Sequence, residues 1–63
     1  MVHEKMRDYI YTVGLKISVI EERAGLPKKT LSPILHGKRK MSVEEYIAIC
    51  RAMGVDYSLF MPA

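Results

Sequence analysis

Between Arg23 and Lys40 the chain carries six cations, Arg23, Lys28, Lys29, Lys38, Arg39 and Lys40, together with His36 and no acid. Such a set can donate charge-assisted hydrogen bonds to phosphate oxygens, and lysine can also donate to guanine O6 and N7. Ser32 adds a hydroxyl able to reach several base edges, and Pro33 offers apolar contact of the kind a thymine methyl accepts. All seven acids lie outside 23–40, so the positive charge is concentrated on that stretch while the chain as a whole is net +3. The chemistry within reach is binding to a polyanion.

Catalysis finds no support. No glycine-rich phosphate loop follows a strand, and no Ser/His/Asp or Cys/His set stands at workable spacing. His3, His36 and Cys50 show no metal-ligand spacing, so neither a metal nor another cofactor is expected. A single cysteine excludes an intramolecular disulfide. Cys50, set among Ile47, Ile49 and Met53, reads as a small buried hydrophobe.

The elements that must hold these residues are helical. Residues 2–13 form a first helix with Val2, Met6, Tyr9, Ile10 and Val13 on one stripe, and Gly14 just past its end. A second helix covers 17–24. Its start is ambiguous, because Ser18 to Glu21 also fits a capping box that would begin it two residues later. Gly25 ends it and Leu26-Pro27 turns the chain.

A third helix is expected over 28–36, with Leu31, Ile34 and Leu35 inward. Lys29, Ser32, Pro33 and His36 then face outward, with Lys28 at the rim. Pro33 conflicts with a continuous helix, at about 3 kcal/mol for an interior position. Ser32-Pro33 can instead open a separate single turn. The phase shared by Leu31, Ile34 and Leu35 favours a bent helix. Two cations in its first turn oppose the helix dipole at about 0.3–1 kcal/mol each. A DNA contact explains them better than stability does.

The fourth helix has the clearest start: Ser42 caps it, Glu45 completes the box, and Met41 can staple against Tyr46. Val43, Tyr46, Ile47, Cys50 and Met53 are expected inward, with Gly54 as the stop. Asp56 then caps a last short helix over 57–61, ended by Pro62. Two short helices joined by a glycine-containing turn read as a helix-turn-helix over about 17–36.

With 63 residues, 49% of them hydrophobic, one domain over 1–63 is expected. A chain this short buries only about 60% of its unfolded surface, so a dimer would help it. The longest apolar run, Tyr46 to Cys50, is far below the roughly 18 residues that suggest a membrane span. Charged residues at 3–8 without a hydrophobic block behind them do not make a signal peptide. A cytoplasmic location is the default.

The pattern resembles the phage repressor and Cro class of bacterial helix-turn-helix proteins, in the xenobiotic-response-element family. Gly14-Leu15, Gly25-Leu26, Thr30-Leu31-Ser32, Ile34, Gly37-Lys38-Arg39 and Ala52-Met53-Gly54-Val55 carry the likeness, without a gap from Met6 to Phe60. It implies an all-α, compact, five-helix lambda-repressor-like domain of a bacterial or phage-encoded transcriptional regulator, a repressor. Its third helix would enter the major groove of double-stranded DNA, as a weak homodimer on a two-fold site. Base contacts would then fall to Lys28, Lys29, Ser32 and Pro33. Phosphate contacts would fall to Lys38, Arg39 and Lys40, with His36 and Ser18 as further candidates. Tyr57, Phe60 and Met61 either close the core or form the dimer patch.

Four places depart from the family pattern. Ile17 stands where Gln is usual, Glu21 where a small Ala is usual, and Pro27 where a Ser or Thr cap is usual. Ile10 and Leu35 replace an Arg–Glu pair found in some relatives, and packed hydrophobes in place of a buried ion pair are often neutral or stabilising. Ile17 and Pro33 make the presumed DNA face less polar. They leave open a rival of another class, a protein-binding adaptor or antirepressor on the same scaffold.

Overall fold

A computed structural model describes residues 2–61. Four helices follow one another, α1 over Val2–Val13, α2 over Ile17–Ala24, α3 over Leu31–Leu35 and α4 over Val43–Met53, and no strand occurs among the described residues. The fold is all-α. None of these helices is long and apolar enough to cross a membrane.

Helix α1 buries Met6 and Ile10 completely, with Val2 and Tyr9 packed at the edge of the core. Val13, expected on the same stripe, is exposed. The helix overhangs the core in its last turn. Leu15 turns inward instead, with its amide 3.0 Å from the Ile10 carbonyl. Helix α2 starts at Ile17 behind an extended Lys16, so the later start at a Ser18 cap is not adopted. Its end is set by Gly25 at φ +72°, where the Gly25 amide bonds to Glu22 and the Leu26 amide to Glu21. Only glycine enters that left-handed conformation at no steric cost.

The capping box of α4 forms as the sequence indicates: the Glu45 amide donates to Ser42 Oγ at 3.1 Å and the Ser42 amide to Glu45 Oε1 at 2.9 Å. Its inner face differs from expectation. Tyr46, Ile49 and Cys50 are buried, Ile47 and Met53 are half-buried, and Val43 is 74% exposed. Val43, at the first helical position, stands beyond the core beside a shallow apolar cleft lined by Val2, Met41, Tyr46 and Met61.

The fifth helix expected over 57–61 is a run of turns. Leu59 bonds back to Asp56 and Met61 to Ser58, each three residues apart, and Asp56 Oδ1 accepts both the amide and the hydroxyl of Ser58. An aspartate that bonds its own neighbour two residues on makes a turn that competes with helix. The segment is nonetheless tied down. The Tyr46 hydroxyl donates to the Tyr57 carbonyl, and Phe60 meets the Tyr9 ring edge-on with centroids 5.6 Å apart. Pro62, the expected terminator, lies outside the described residues.

Helix α2 packs on α4 and α3, and α1 on α3, around a core that joins Met6, Ile10, Ile20, Leu31, Leu35, Ile49, Cys50 and Phe60. Ile10 and Leu35, the pair of apolar replacements, are both fully buried in it. Burial also pushes the Cys50 thiol pKa up, which makes it a poor nucleophile. Ile10→Arg is expected to cost about 3–5 kcal/mol in denaturant unfolding, as an unpaired buried charge. Adding Leu35→Glu should recover part of it, with a coupling of about 0.5–3 kcal/mol. A coupling of zero would separate the two side chains.

Candidate nucleic-acid interface

Pro33 decides where α3 can begin. A proline has no amide to donate and its ring crowds the preceding turn, so it is tolerated only in the first turn of a helix. Helix α3 runs over only five residues, with Thr30 at its N-cap and Pro33 third. The bent helix expected over 28–36 is therefore not formed. The single-turn alternative is nearer, although its cap is Thr30, two residues before Ser32. The inward face is as the spacing required: Leu31 and Leu35 are fully buried and Ile34 nearly so.

Lys28 and Lys29 consequently stand before the helix and not in its first turn. They form the corner of a turn closed by the Thr30 amide on the Pro27 carbonyl at 3.3 Å. Lys29 is the one described non-glycine residue with positive φ, at +68°. The left-handed region costs a side-chain-bearing residue about 1–2 kcal/mol, so glycine or asparagine is usual there. Both lysines are exposed, as is Ser32, while Pro33 is half-covered.

Beyond the helix the chain folds back onto it. The Pro33 carbonyl accepts the Lys38 amide at 2.9 Å and the Arg39 amide at 3.3 Å, and Gly37 bonds to Ile34. Gly37 has φ +72°, and a Cβ there would come within 2.8 Å of the His3 ring. His3, which no sequence pattern places here, thus covers the turn from α1. Lys38, Arg39 and Lys40 are exposed on a loop whose backbone is pinned to α3. Ser18 is exposed on α2 at the rim of an open cleft shared with Lys28.

Two members of the expected phosphate set are already engaged. The Arg39 guanidinium lies 2.9 Å from a Glu45 carboxylate oxygen. His36 Nδ1 is 2.9 Å from the Ser32 carbonyl, which can only accept, so that nitrogen carries a proton. The other ring nitrogen, Nε2, is left open on an exposed side chain. Among the described residues, no cluster of His, Cys, Asp or Glu could hold a metal.

Glu21 and Glu45 are engaged within the fold, while exposed Glu22 lines the cleft shared by Ser18 and Lys28. Glu45 is held below its ordinary pKa of 4.5, first by the Ser42 amide and also by Arg39, against the opposing effect of burial. Glu21 is 4% exposed, and its Oε2 accepts the Leu31 amide at 2.9 Å. The sequence carried one signal for this. Ile17, Ile20, Glu21 and Ala24 share one side of α2 at helical spacing, and an acid on an inward stripe calls for a buried partner.

Of the three expected dimer residues, Phe60 is 2% exposed and belongs to the core, whereas Tyr57 and Met61 are open to solvent with Leu59 and Val43. The end of the chain supplies both core closure and exposed apolar surface. No family model, curated protein or solved structure matches the chain.

The strain at Lys29 makes a stability measurement informative. Lys29→Gly should leave the protein as stable as before or more stable by up to about 1 kcal/mol, because relief of the left-handed penalty outweighs the added freedom of the unfolded chain. A loss of stability would assign Lys29 a contact within the fold.

The lowered pKa of Glu45 sets a pH dependence. A depressed folded-state pKa adds stability above the unfolded value and loses it as pH falls through the folded one. The difference in urea midpoint between wild type and Glu45→Gln should be largest at neutral pH and shrink below 4.5. An unchanging difference would leave the carboxylate charge without a role.

Proposed function

We propose that this protein binds double-stranded DNA sequence-specifically and acts as a transcriptional repressor of the phage repressor and Cro kind. Helices α2 and α3 act as a helix-turn-helix, with α3 and the turn before it in the major groove. One observation carries the reading. A five-residue helix buries its whole apolar side while exposed Lys28, Lys29, Ser32, His36, Lys38 and Lys40 lie on it or beside it in sequence. Nearby, Glu21 is buried on Leu31 and Glu45 is paired with Arg39.

In this reading Lys28, Lys29 and Ser32 face base edges, and the open nitrogen of His36 faces a phosphate. Lys38, Lys40 and Ser18 face phosphates, and Arg39 joins them when it exchanges Glu45 for a phosphate. Pro33 contributes mostly through backbone geometry. The resemblance calls for a fifth helix; here turns over 57–61 take its place and leave Tyr57, Leu59 and Met61 exposed. A weak homodimer on a two-fold site would use that end of the molecule. The setting is the bacterial cytoplasm, no catalytic activity is assigned, and no cofactor is invoked. Ile17 is half-buried against the core, so it detracts little from the polarity of the DNA face.

Fluorescence polarisation on duplexes selected from a random pool tests the reading. Affinity should fall steeply with salt, with two chains per selected duplex at saturation. Lys29→Ala should lose about 1–3 kcal/mol on the selected duplex and little on a scrambled one. Lys40→Ala should weaken both alike and lower the salt slope by about one. Absence of binding at low salt would support the adaptor reading instead.

A further inference from the structure

We infer that Glu21 is a positioning residue for base reading, fixing the direction in which α3 and its preceding turn present Ser32, Lys28 and Lys29. The inference rests on the DNA-binding reading above. A five-residue helix has no stability of its own, because nucleation of an isolated turn is unfavourable. Its orientation must come from outside it. Burial of Leu31, Ile34 and Leu35 holds it against the core, but hydrophobic burial is non-directional and tolerates small rotations. A hydrogen bond does not, since it weakens steeply off its axis.

The Leu31 amide finds its acceptor on another helix, ten residues back, in the Glu21 carboxylate at 2.9 Å. Thr30 at the N-cap makes no side-chain cap of its own. Glu21 is also the one buried charged or polar residue among those described. The bond therefore spans α2 and the first residue of α3, and Ser32, exposed, follows immediately. Lys28 borders the same cleft as Glu21. A small shift of α3 about this point re-aims the reading groups against base edges; the loop tied to the Pro33 carbonyl moves with it, but its long exposed lysines still reach phosphates on any duplex.

A merely stabilising Glu21 and a positioning Glu21 differ in what they do to discrimination. The test compares wild type, Glu21→Gln and Glu21→Ala on the selected duplex and a scrambled one. All are assayed below the midpoint of thermal unfolding, with Leu31 amide exchange followed by NMR. Glu21→Ala is expected to lower the selected-over-scrambled ratio by about tenfold, in the range a lost cap allows, with scrambled affinity and salt slope kept. Its Leu31 amide should exchange faster. Glu21→Gln, which retains an acceptor oxygen, should keep most of the ratio.

An unchanged ratio in folded Glu21→Ala would overturn the inference, as would equal losses on both duplexes. If Glu21→Ala does not fold, Glu21→Asp takes its place under the same criteria, its carboxylate retracted by one methylene. Wild type failing to bind either duplex would remove the DNA reading and this inference together, and would show before any variant is made.

Discussion

The position of one proline constrains the centre of this molecule. Because Pro33 cannot donate and crowds the turn before it, the helix that contains it cannot extend back through Lys29. The chain must therefore turn over 27–30, and the turn closes with Lys29 in the left-handed region. Thr30 at the start of the resulting helix is in the helical region and makes no side-chain cap. Glu21 supplies the acceptor from α2, and its burial forces an acid onto a stripe otherwise made of Ile17, Ile20 and Ala24. The same proline then serves as an acceptor: its carbonyl holds the Lys38 and Arg39 amides and folds the basic loop back. An inward acid, a strained lysine and a returning loop thus all converge on this short helix.

The scale of the molecule explains why so much is tied by single bonds. A domain of this length has a small core, and its net stability is the small remainder of large opposing terms. Here the core is completed from the far end of the chain, where Phe60 lies against Tyr9 and the Tyr46 hydroxyl holds Tyr57. A regular helix over 57–61 was not needed for that. Turns of three-residue reach place Phe60 inward while leaving Tyr57, Leu59 and Met61 at the surface. The exposed apolar end and the basic face thus have different origins: one is left over from closing the core, the other from the acid-free composition of residues 23–40.

What could be read from the sequence depended on whether structure was locally encoded. The ends of α1 and α2 and the start of α4 followed from glycines and a capping box, whose hydrogen bonds lie within a few residues, while the start of α2 stayed open between two registers. The inward face of α3 followed from spacing. Its length did not, because the shared phase of Leu31, Ile34 and Leu35 favours a longer helix, whereas Pro33 bars one running back through Lys29. The last segment misled because Asp56 was read as a helix cap, while it satisfies Ser58 in a turn. Ile49 for Val43 on α4 is a register error that only the neighbours of the helix could have resolved. Among the interface candidates, sequence placed the cations in one region but could not see that Arg39 faces Glu45, or that His36 has one nitrogen committed.

Helix α3 is held by interactions of two kinds. Towards α1 the hold is apolar, with Ile10 and Leu35 both fully buried in one core. Towards α2 it is polar as well, because the Leu31 amide finds its acceptor in Glu21. A buried carboxylate requires a partner with defined geometry, whereas apolar burial is non-directional. If α3 reads DNA, its orientation is referenced to α2, the helix that carries Ser18 towards the phosphates. The two contacting elements then move as one unit, and α1 with the end of the chain is left to vary with the needs of the core and of assembly.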